Sequence, residues 1–469
     1  MAKRERISSV DTAWLRMDRP TNLMMIVGVL IFDGPLQFER LRRVVEARLL
    51  CHERFRQRAV VEATGASWEE DPEFDLDSHL HRVALPGRGG KDELEKLVAD
   101  LAATPLHPAK PLWQFHVVEN YDGGSVLIAR IHHCIADGMA LVGVMLSMTD
   151  DSPDAPEPSP PPPRADEPAD YSPWRVVFEP VTQATVAAIN VGTTIWLKYL
   201  DLLMRPAQVI DYGKQGLGFT AELAKLLAMP VDSPTRFKGK PGTAKRVAWA
   251  EPLPLEEVKA VGKALGCSVN DVLLASVAGA LREYLLERGD AADGVELRAL
   301  VPVNLRGEED RGKLGNRFGL VTLSLPLGEA NPMARVFEVR RRMQELKGSY
   351  QAPLSLALLA TVGMAPKLVQ QQFLDMLSAK ATAVMTNVPG PQHPLYLAGS
   401  KLEQIMFWVP QSGDLGMGVS ILSYDGKVQF GLMTDRKLVP DPDRIVARFR
   451  PEFEKLLFAL LLEPWDELR

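Results

Sequence analysis

Cysteine is scarce in this sequence, and so are apolar segments near the start of the chain. The three cysteines, Cys51, Cys134 and Cys267, are odd in number and far apart, which favours a reducing compartment without disulfides. The charged first residues are followed by polar ones, so the sequence predicts no signal peptide. The apolar residues 23–32 predict a buried strand instead. We therefore expect a cytoplasmic protein.

Long hydrophobic runs and an excess of positive charge are also missing. Prolines and polar residues interrupt the uncharged stretches 180–197 and 348–366, which makes both poor candidates for membrane-spanning helices. The net charge of -6 argues against nucleic acid as the partner, because binding phosphate backbones needs a basic face. With 46% hydrophobic and 24% charged residues, the composition is that of a globular protein.

The 469 residues are enough for two domains, each with its own core. Residues 151–173 are rich in proline and acidic residues, which favours a polyproline II connector between them. A disordered insertion without a role is the alternative. We divide the chain into a first half at 1–150, a linker and helical connector at 151–235, and a second half at 236–469.

Hydrophobic periodicity predicts strands and helices in both halves, hence an α/β fold. The predicted strands are 23–32, 113–119, 125–131, 296–303 and 319–326, and the predicted helices are 38–50, 91–102, 139–148, 177–227, 255–265, 269–288 and 335–346.

A polar, titratable cluster lies where a predicted strand meets a predicted helix, at Ile131-His132-His133-Cys134-Ile135-Ala136-Asp137-Gly138. Imidazole suits proton transfer near neutral pH. Neighbouring side chains on a strand point to opposite faces, so His132 and His133 cannot easily act on the same atom. No metal site is expected, because the two histidines diverge and no CxxC or HxxxH partner exists. Cys134 is disfavoured as a nucleophile because adjacent residues rarely form a Cys–His pair.

This run fits an HHxxxDG motif, and it is one of a set of motifs in a fixed order, of which the first lies upstream of the histidines and the others downstream. The other members of the set are Pro111-Leu112-Trp113, Asn270-Asp271, residues 301–306, Leu314-Gly315-Asn316 and residues 387–391. From about Ser9 to the C-terminus, the chain resembles the bacterial wax ester synthase/diacylglycerol acyltransferase family. That family belongs with chloramphenicol acetyltransferase and peptide-synthetase condensation domains. The resemblance implies two chloramphenicol acetyltransferase-like domains of mixed sheet flanked by helices, with the active-site channel between them.

The resemblance also implies roles for the HHxxxDG residues. His133 would be the base that takes the proton of an acceptor hydroxyl as its oxygen attacks a thioester, and His132 would order the loop. Asp137 precedes a helix and so predicts an N-cap. The resemblance adds an ion pair to an arginine, for which Arg306 is the candidate. Gly138 would let substrate approach the backbone closely.

Three further motif residues have both a structural and a functional interpretation. Ser268 and Asp271 fit a capping box, which explains Asp271 structurally. Asn270 is either structural or a donor to the oxyanion that develops on the thioester carbonyl. Trp113 opens a strand and is most simply a core residue, with a place in the substrate channel as the alternative. Residues 387–391 predict a turn.

Two kinds of segment could bind substrate. Arg236, Lys238, Lys240, Lys245 and Arg246 form a local basic cluster that could dock the phosphates of coenzyme A, although a solvated loop or a contact with anionic lipid fits equally well. The apolar stretches 354–365 and 186–204 could line an acyl tunnel or rest on a bilayer, but they also fit ordinary core helices.

These expectations combine into one function. The resemblance implies an O-acyltransferase that moves a long-chain acyl group from acyl-CoA to a fatty alcohol or diacylglycerol, making wax esters or triacylglycerol. The reaction would need no metal or redox cofactor and form no acyl-enzyme. We expect the protein at a membrane or lipid-inclusion surface. A condensation-type enzyme with a carrier-bound donor and a non-catalytic lipid-surface protein are the alternatives.

Overall fold

The computed structural model describes residues 4–62, 65–156, 225–226, 228–305, 314–347, 349, 351–364 and 367–462. Most of the predicted linker and connector, the apolar stretch 186–204 and Arg306 lie outside these residues.

The described part of the first half contains both strands and helices. Its elements are β1 (Arg4–Arg6), α1 (Ser9–Met17), β2 (Met25–Phe32), α2 (Phe38–Val44), β3 (Gln57–Glu62), β4 (Gly65–Glu70), β5 (Leu80–Val83), α3 (Lys91–Ala103), β6 (Trp113–Tyr121), β7 (Gly124–His132) and α4 (Gly138–Ser147). A π-helical turn, Val45–Leu49, continues α2, and short 3-10 turns lie at Glu53–Phe55 and Leu76–Ser78.

The second half has the same mixed character. Its described elements are β8 (Lys245–Trp249), β9 (Leu253–Pro254), α5 (Leu255–Leu265), α6 (Val269–Glu287), β10 (Glu296–Asn304), β11 (Phe318–Pro326), α7 (Pro332–Lys347), α8 (Gln351–Met364), α9 (Lys367–Ala379), β12 (Ala383–Pro389), β13 (Tyr396–Leu397), β14 (Ser400–Trp408), β15 (Met417–Tyr424), β16 (Lys427–Asp435) and α10 (Pro442–Leu462).

Two large mixed sheets carry the fold. One has six strands in the order β13-β14-β2-β7-β6-β5, with β5 and β6 parallel. The other has seven strands, with β11-β10-β12-β15-β16-β8 as the main path and β9 on β16, and its β10, β12 and β15 run parallel. A small sheet, β1-β4-β3, lies beside α1. This arrangement confirms the predicted α/β fold class of mixed sheets flanked by helices.

One strand pairing differs from the division of the chain into consecutive halves. Strand β14 belongs by sequence to the second half, yet it pairs antiparallel with β2 in the first sheet, with Phe407 opposite Gly28. Gly28 makes this possible, because a Cβ there would lie 2.5 Å from the Phe407 ring. Apolar residues along β14 point to both faces of the sheet, so both faces gain core contacts.

Most predicted elements are present, with ends that differ by three residues at most, while the predicted helix 177–227 lies outside the described residues except for 225 and 226. The exception is the turn at 387–391, because Asn387, Val388 and Pro389 form the end of β12 and only Gly390 and Pro391 lie beyond it. Strand β12 pairs with β10 only at Ala383 and Val384, so at Pro389 one side of the strand is an edge of the described sheet, where proline is tolerated. Among the described residues, no single helix is long and apolar enough to cross a membrane. Helices α5 and α6 pass that test only as a pair, and they are bent by 100°.

Candidate active site

Backbone hydrogen bonds fix the HHxxxDG loop between β7 and α4. His132 is the last residue of β7, and its amide donates to Leu112 O at 2.9 Å. The next amide, of His133, donates to Met24 O at 2.7 Å. At the other end, Asp137 Oδ1 accepts the amide of Ala140 at 2.9 Å, which confirms the predicted N-cap of α4. The two histidines are therefore held at the end of a buried strand.

The contacts of His132 support a role in ordering the loop. Its Nδ1 accepts the amide of Cys134 at 3.1 Å, which places a proton on Nε2. Nε2 lies 3.4 Å from Asp18 Oδ2. Burial lowers the pKa of His132, but Cys134 and the Asp18 carboxylate raise it, and the net change is upward. His132 thus has its Nε2 edge toward a carboxylate and is not a free base.

The environment of His133 lowers the pKa of its imidazole, whereas that of His132 raises it. The ring of His133 is buried at the cavity described below and stacks on Trp14, with ring centroids 4.2 Å apart. Burial lowers the pKa of His133 to about 4, against opposing contributions from Asp137, its own backbone carbonyl and Asn316. At neutral pH the imidazole is therefore uncharged and has a lone pair available to accept a proton.

A segment of the second half holds this loop from the other side. The amide of Asp137 donates to Gly315 O at 3.2 Å, and Asp137 Oδ2 accepts the amide of Arg317 at 2.9 Å. Between them, Asn316 Nδ2 donates to the carbonyl of His133 at 2.7 Å. The same nitrogen donates to Asp11 Oδ1 on α1, also at 2.7 Å. The expected Arg306 partner of Asp137 lies outside the described residues.

A cavity of about 280 Å³ lies between the two halves and is reached by His133. Its walls are mainly apolar and come from both large sheets and from α1 and α4. The polar residues among its lining are His133, Asp137, Asn304, Thr386, Asn387, Ser412 and Ser420. A mostly apolar cavity with a few convergent polar groups is typical of a binding site for an apolar small molecule.

The cavity wall contains Asn387, whereas Asn270 lies behind it. Asn387 Nδ2 donates to Asn270 Oδ1 at 2.6 Å, so Asn270 orients Asn387 from outside the lining. This changes the prediction for Asn270, because the cavity-facing amide belongs to Asn387. Ser268 and Asp271 form the predicted capping box at the start of α6, which confirms the structural interpretation of Asp271.

Two other predicted site residues are placed clearly. Trp113 is fully buried in the first core, donates to Phe55 O at 2.8 Å and stacks on His79. It is not among the residues that line the cavity, which favours the core interpretation, and a place in the substrate channel stays a prediction. Gly138 does line the cavity, and a Cβ there would lie 3.7 Å from Val409.

Most of the basic cluster already has protein partners. Arg236 binds Asp290, with 3.0 Å between Nη2 and Oδ1. Lys238 donates to the carbonyls of Ser378 and Ala381 near the end of α9, and Lys245 is buried and donates to Asn22 Oδ1 at 2.6 Å. Lys240 is exposed. The docking of phosphates at this cluster stays a prediction, and Lys240 is its most accessible member.

Several residues at the site had no assigned role in the sequence. Asp11 and Trp14 approach the loop from α1, and the only local signal was Ser8, which caps that helix. Asn316 belongs to one of the ordered motifs, but the sequence alone does not predict its contact with His133. No cluster of metal-ligating side chains occurs in the part of the chain that the structure describes.

Comparison with known proteins identifies the family. Residues 7–273 match the wax ester synthase/diacylglycerol acyltransferase catalytic domain, and residues 314–457 match the WS/DGAT C-terminal domain. The chain belongs to the WS/DGAT family. This confirms the resemblance drawn from the motifs, and it makes the protein an acyltransferase by family.

Two WS/DGAT relatives come from Mycobacterium tuberculosis strain H37Rv. The probable diacylglycerol O-acyltransferase tgs1 is 27% identical over 460 residues, which cover 94% of this chain and 93% of that protein. The probable diacylglycerol O-acyltransferase tgs2 is 29% identical over 469 residues, covering 95% and 97%.

Solved structures support the fold. The wax ester synthase/diacylglycerol acyltransferase from Marinobacter aquaeolei VT8 is similar with a TM-score of 0.71 and 21% identity, covering 97% of this chain and 100% of that one. The first condensation domain of the calcium-dependent antibiotic synthetase is similar with a TM-score of 0.58 and 15% identity, covering 96% and 97%. Both comparisons concern the fold alone.

Proposed function

We propose that this WS/DGAT protein transfers a long-chain acyl group from acyl-CoA to the hydroxyl of a fatty alcohol or diacylglycerol. The observation that carries the proposal is a buried His133 at a largely apolar cavity between the two halves, where burial lowers the pKa of its imidazole. Burial suits both substrates, since their chains are apolar. The mycobacterial relatives, named as diacylglycerol O-acyltransferases, support the choice of acceptor.

In the proposed reaction, His133 accepts the hydroxyl proton while the hydroxyl oxygen attacks the thioester carbonyl. The tetrahedral intermediate then collapses, the C–S bond breaks, and the imidazolium returns the proton to the departing thiolate of coenzyme A. The products are an ester and free coenzyme A, and no acyl-enzyme forms. General-base catalysis of this kind contributes about 10²–10⁴-fold in rate.

The oxyanion of the intermediate needs a hydrogen-bond donor. We assign this role to Asn387, because its side-chain nitrogen has two N–H groups and Asn270 occupies one of them. Fixing the amide through Asn270 keeps the second N–H in place, which is how a preorganised donor lowers the barrier. In this proposal Asn270 acts through Asn387. The proposed reaction needs no metal or redox cofactor.

The substrates also suggest where the protein works. Both acceptors partition into lipid, so we propose that it associates peripherally with a membrane or with lipid inclusions in the cytoplasm. Flotation with vesicles of phosphatidylglycerol and phosphatidylethanolamine, with and without diacylglycerol, tests this. Protein that stays at the bottom of the gradient with both vesicles contradicts it.

Acceptor-dependent thiol release from palmitoyl-CoA tests the activity itself. We expect release with hexadecanol or dipalmitoylglycerol and ester product by mass spectrometry. His133→Ala should lower turnover by about 10²–10⁴-fold while folding normally. His107→Ala, at an exposed position, is the control. The absence of acceptor-dependent release by the unaltered protein would sink the proposal, and activity only with a carrier-bound donor would favour the condensation-type alternative.

A further inference from the structure

Helix α1 places an aromatic ring directly on the imidazole of His133. The rings of Trp14 and His133 are stacked, with centroids 4.2 Å apart and planes 23° apart. Phe318 also approaches His133, but its ring is tilted by 50° and its centroid is 5.4 Å away. Trp14 is buried and lines the cavity beside His133. The indole face is therefore the closer of the two aromatic surfaces at the base.

Packing supplements weak hydrogen bonding in orienting this imidazole, because its own backbone carbonyl and Asn316 act on it without a hydrogen bond of ordinary geometry. His133 Nδ1 is buried and makes no hydrogen bond of ordinary geometry with the residues that the structure describes. In catalytic pairs and triads, a third group commonly orients the base through its second ring nitrogen. Here the indole lies against the imidazole face, so rotation about the Cβ–Cγ bond would drive the imidazole edge into Trp14.

The chemical identity of the stacking ring is informative. Trp14 Nε1 is buried without a hydrogen-bond partner in the described part of the chain, which is unfavourable. A phenylalanine would fill much of this space without that penalty. What tryptophan adds is the strongest attraction of any side-chain ring for a cation over its face. His133 becomes a cation only when it has accepted a proton.

We propose that Trp14 is a positioning residue for the base, fixing the plane of the His133 ring and stabilising the imidazolium formed during acyl transfer. This inference rests on the proposed function. The charged groups that act on His133 are Asp137 and His132, of opposite effect. Burial opposes protonation of His133, and the indole offsets part of that opposition at the moment of transfer.

Several contacts hold α1 where the stack requires it. The Ser8 hydroxyl accepts the amide of Asp11 at the start of the helix, and the Asp11 carboxylate accepts from Asn316. One residue before Trp14, the carbonyl of Ala13 accepts from Gln370 Nε2 at 2.9 Å. The indole is thus carried by a helix that is fixed to the second half on two sides.

Substitution of Trp14 distinguishes a residue that positions His133 from one that only lines the cavity. Trp14→Leu should lower kcat by about 2- to 30-fold, and Trp14→Phe by less, because leucine offers no π face and phenylalanine a weaker one. The KM values should stay within about twofold of those of the unaltered protein. The control is Trp68→Phe, a buried tryptophan outside the cavity lining, which should leave kcat unchanged. A raised KM with unchanged kcat would overturn the proposal, since Trp14 would then only bound the substrate space.

A titration by ¹⁵N NMR in the substrate-free protein measures the pKa of His133. A purely structural role of Trp14 would leave this pKa unchanged. We expect a lower pKa for His133 in Trp14→Leu, because only its protonated form loses an interaction, and an intermediate pKa in Trp14→Phe. An unchanged pKa refutes the inference. If Trp14→Leu does not fold, Trp14→Phe decides the question. Because the titration needs no turnover, it still tests the interaction of Trp14 with protonated His133 if the proposed acyl transfer is not observed.

Discussion

Asp11 gives the sharpest test of the electrostatics around the loop. This α1 residue is buried, and its carboxylate accepts from Asn316, which also holds the carbonyl of His133. Burial raises the pKa of Asp11 from 3.8 to about 6, against the hydrogen bonds from Asn316 and Ser8. At 1.36 kcal/mol per pKa unit, ionised Asp11 costs about 3 kcal/mol of folding free energy.

The direction of the pH dependence of stability follows from proton binding. Between pH 3.8 and pH 6 the folded protein holds a proton on Asp11 that the unfolded chain has released. The free energy of unfolding therefore decreases as the pH rises through this range. The loss is absent below pH 3.8 and complete above pH 6. Asp11→Asn removes the titration and keeps an oxygen for Asn316. The variant should therefore gain stability relative to the unaltered protein by about 3 kcal/mol between pH 4 and pH 7.

Melting temperatures of both proteins across this range provide the assay. The difference in Tm between variant and unaltered protein should shift by roughly 3 °C in favour of the variant from pH 4 to pH 7. Other carboxylates are common to both proteins and cancel in the difference. Asn316→Ala removes a hydrogen bond that lowers the pKa of Asp11, so its own pH dependence should extend further upward. A difference that is flat with pH, or that favours the unaltered protein at pH 7, refutes the reasoning.

Other substitutions probe the loop, the amide pair and the basic cluster. Asp137→Ala should lose the N-cap, worth about 0.5–2 kcal/mol, together with the hydrogen bond to the second half, so Tm and turnover should both fall. Both should fall less in Asp137→Asn, and equal values in the two variants would contradict this reasoning. Asn387→Ala should lower kcat by about 10²–10³-fold and Asn270→Ala by less, and the reverse order would return the donor role to Asn270. Lys240→Ala should raise the KM for acyl-CoA alone, while Lys238→Ala should mainly lower Tm, and equal effects on donor and acceptor KM would exclude docking at Lys240.

The sequence was most informative where local chemistry decides structure. The capping box of Ser268 and Asp271 and the N-cap of Asp137 could be predicted because a cap depends on residues three positions apart. The apolar run of β7 likewise predicts a strand buried on both faces. The fold class followed from such signals together with the ordered motifs.

What the sequence could not supply are contacts between distant segments. The pairing of β14 with β2 depends on the space above Gly28, which no periodicity records. The donation from Asn387 to Asn270 links residues 117 positions apart, so the sequence could not show that Asn387 is the member of this pair in the cavity wall. The basic cluster could be counted from the sequence, but the pairing of Arg236 with Asp290 could not.

The site is assembled from both halves, and this has a consequence for how the halves work together. His133 lies on the first half, yet Asn316 of the second half holds its carbonyl, and Arg317 holds the carboxylate of Asp137. The sheet that carries His133 is itself completed by β14. Any movement that opens the cavity by separating the halves therefore also loosens the loop.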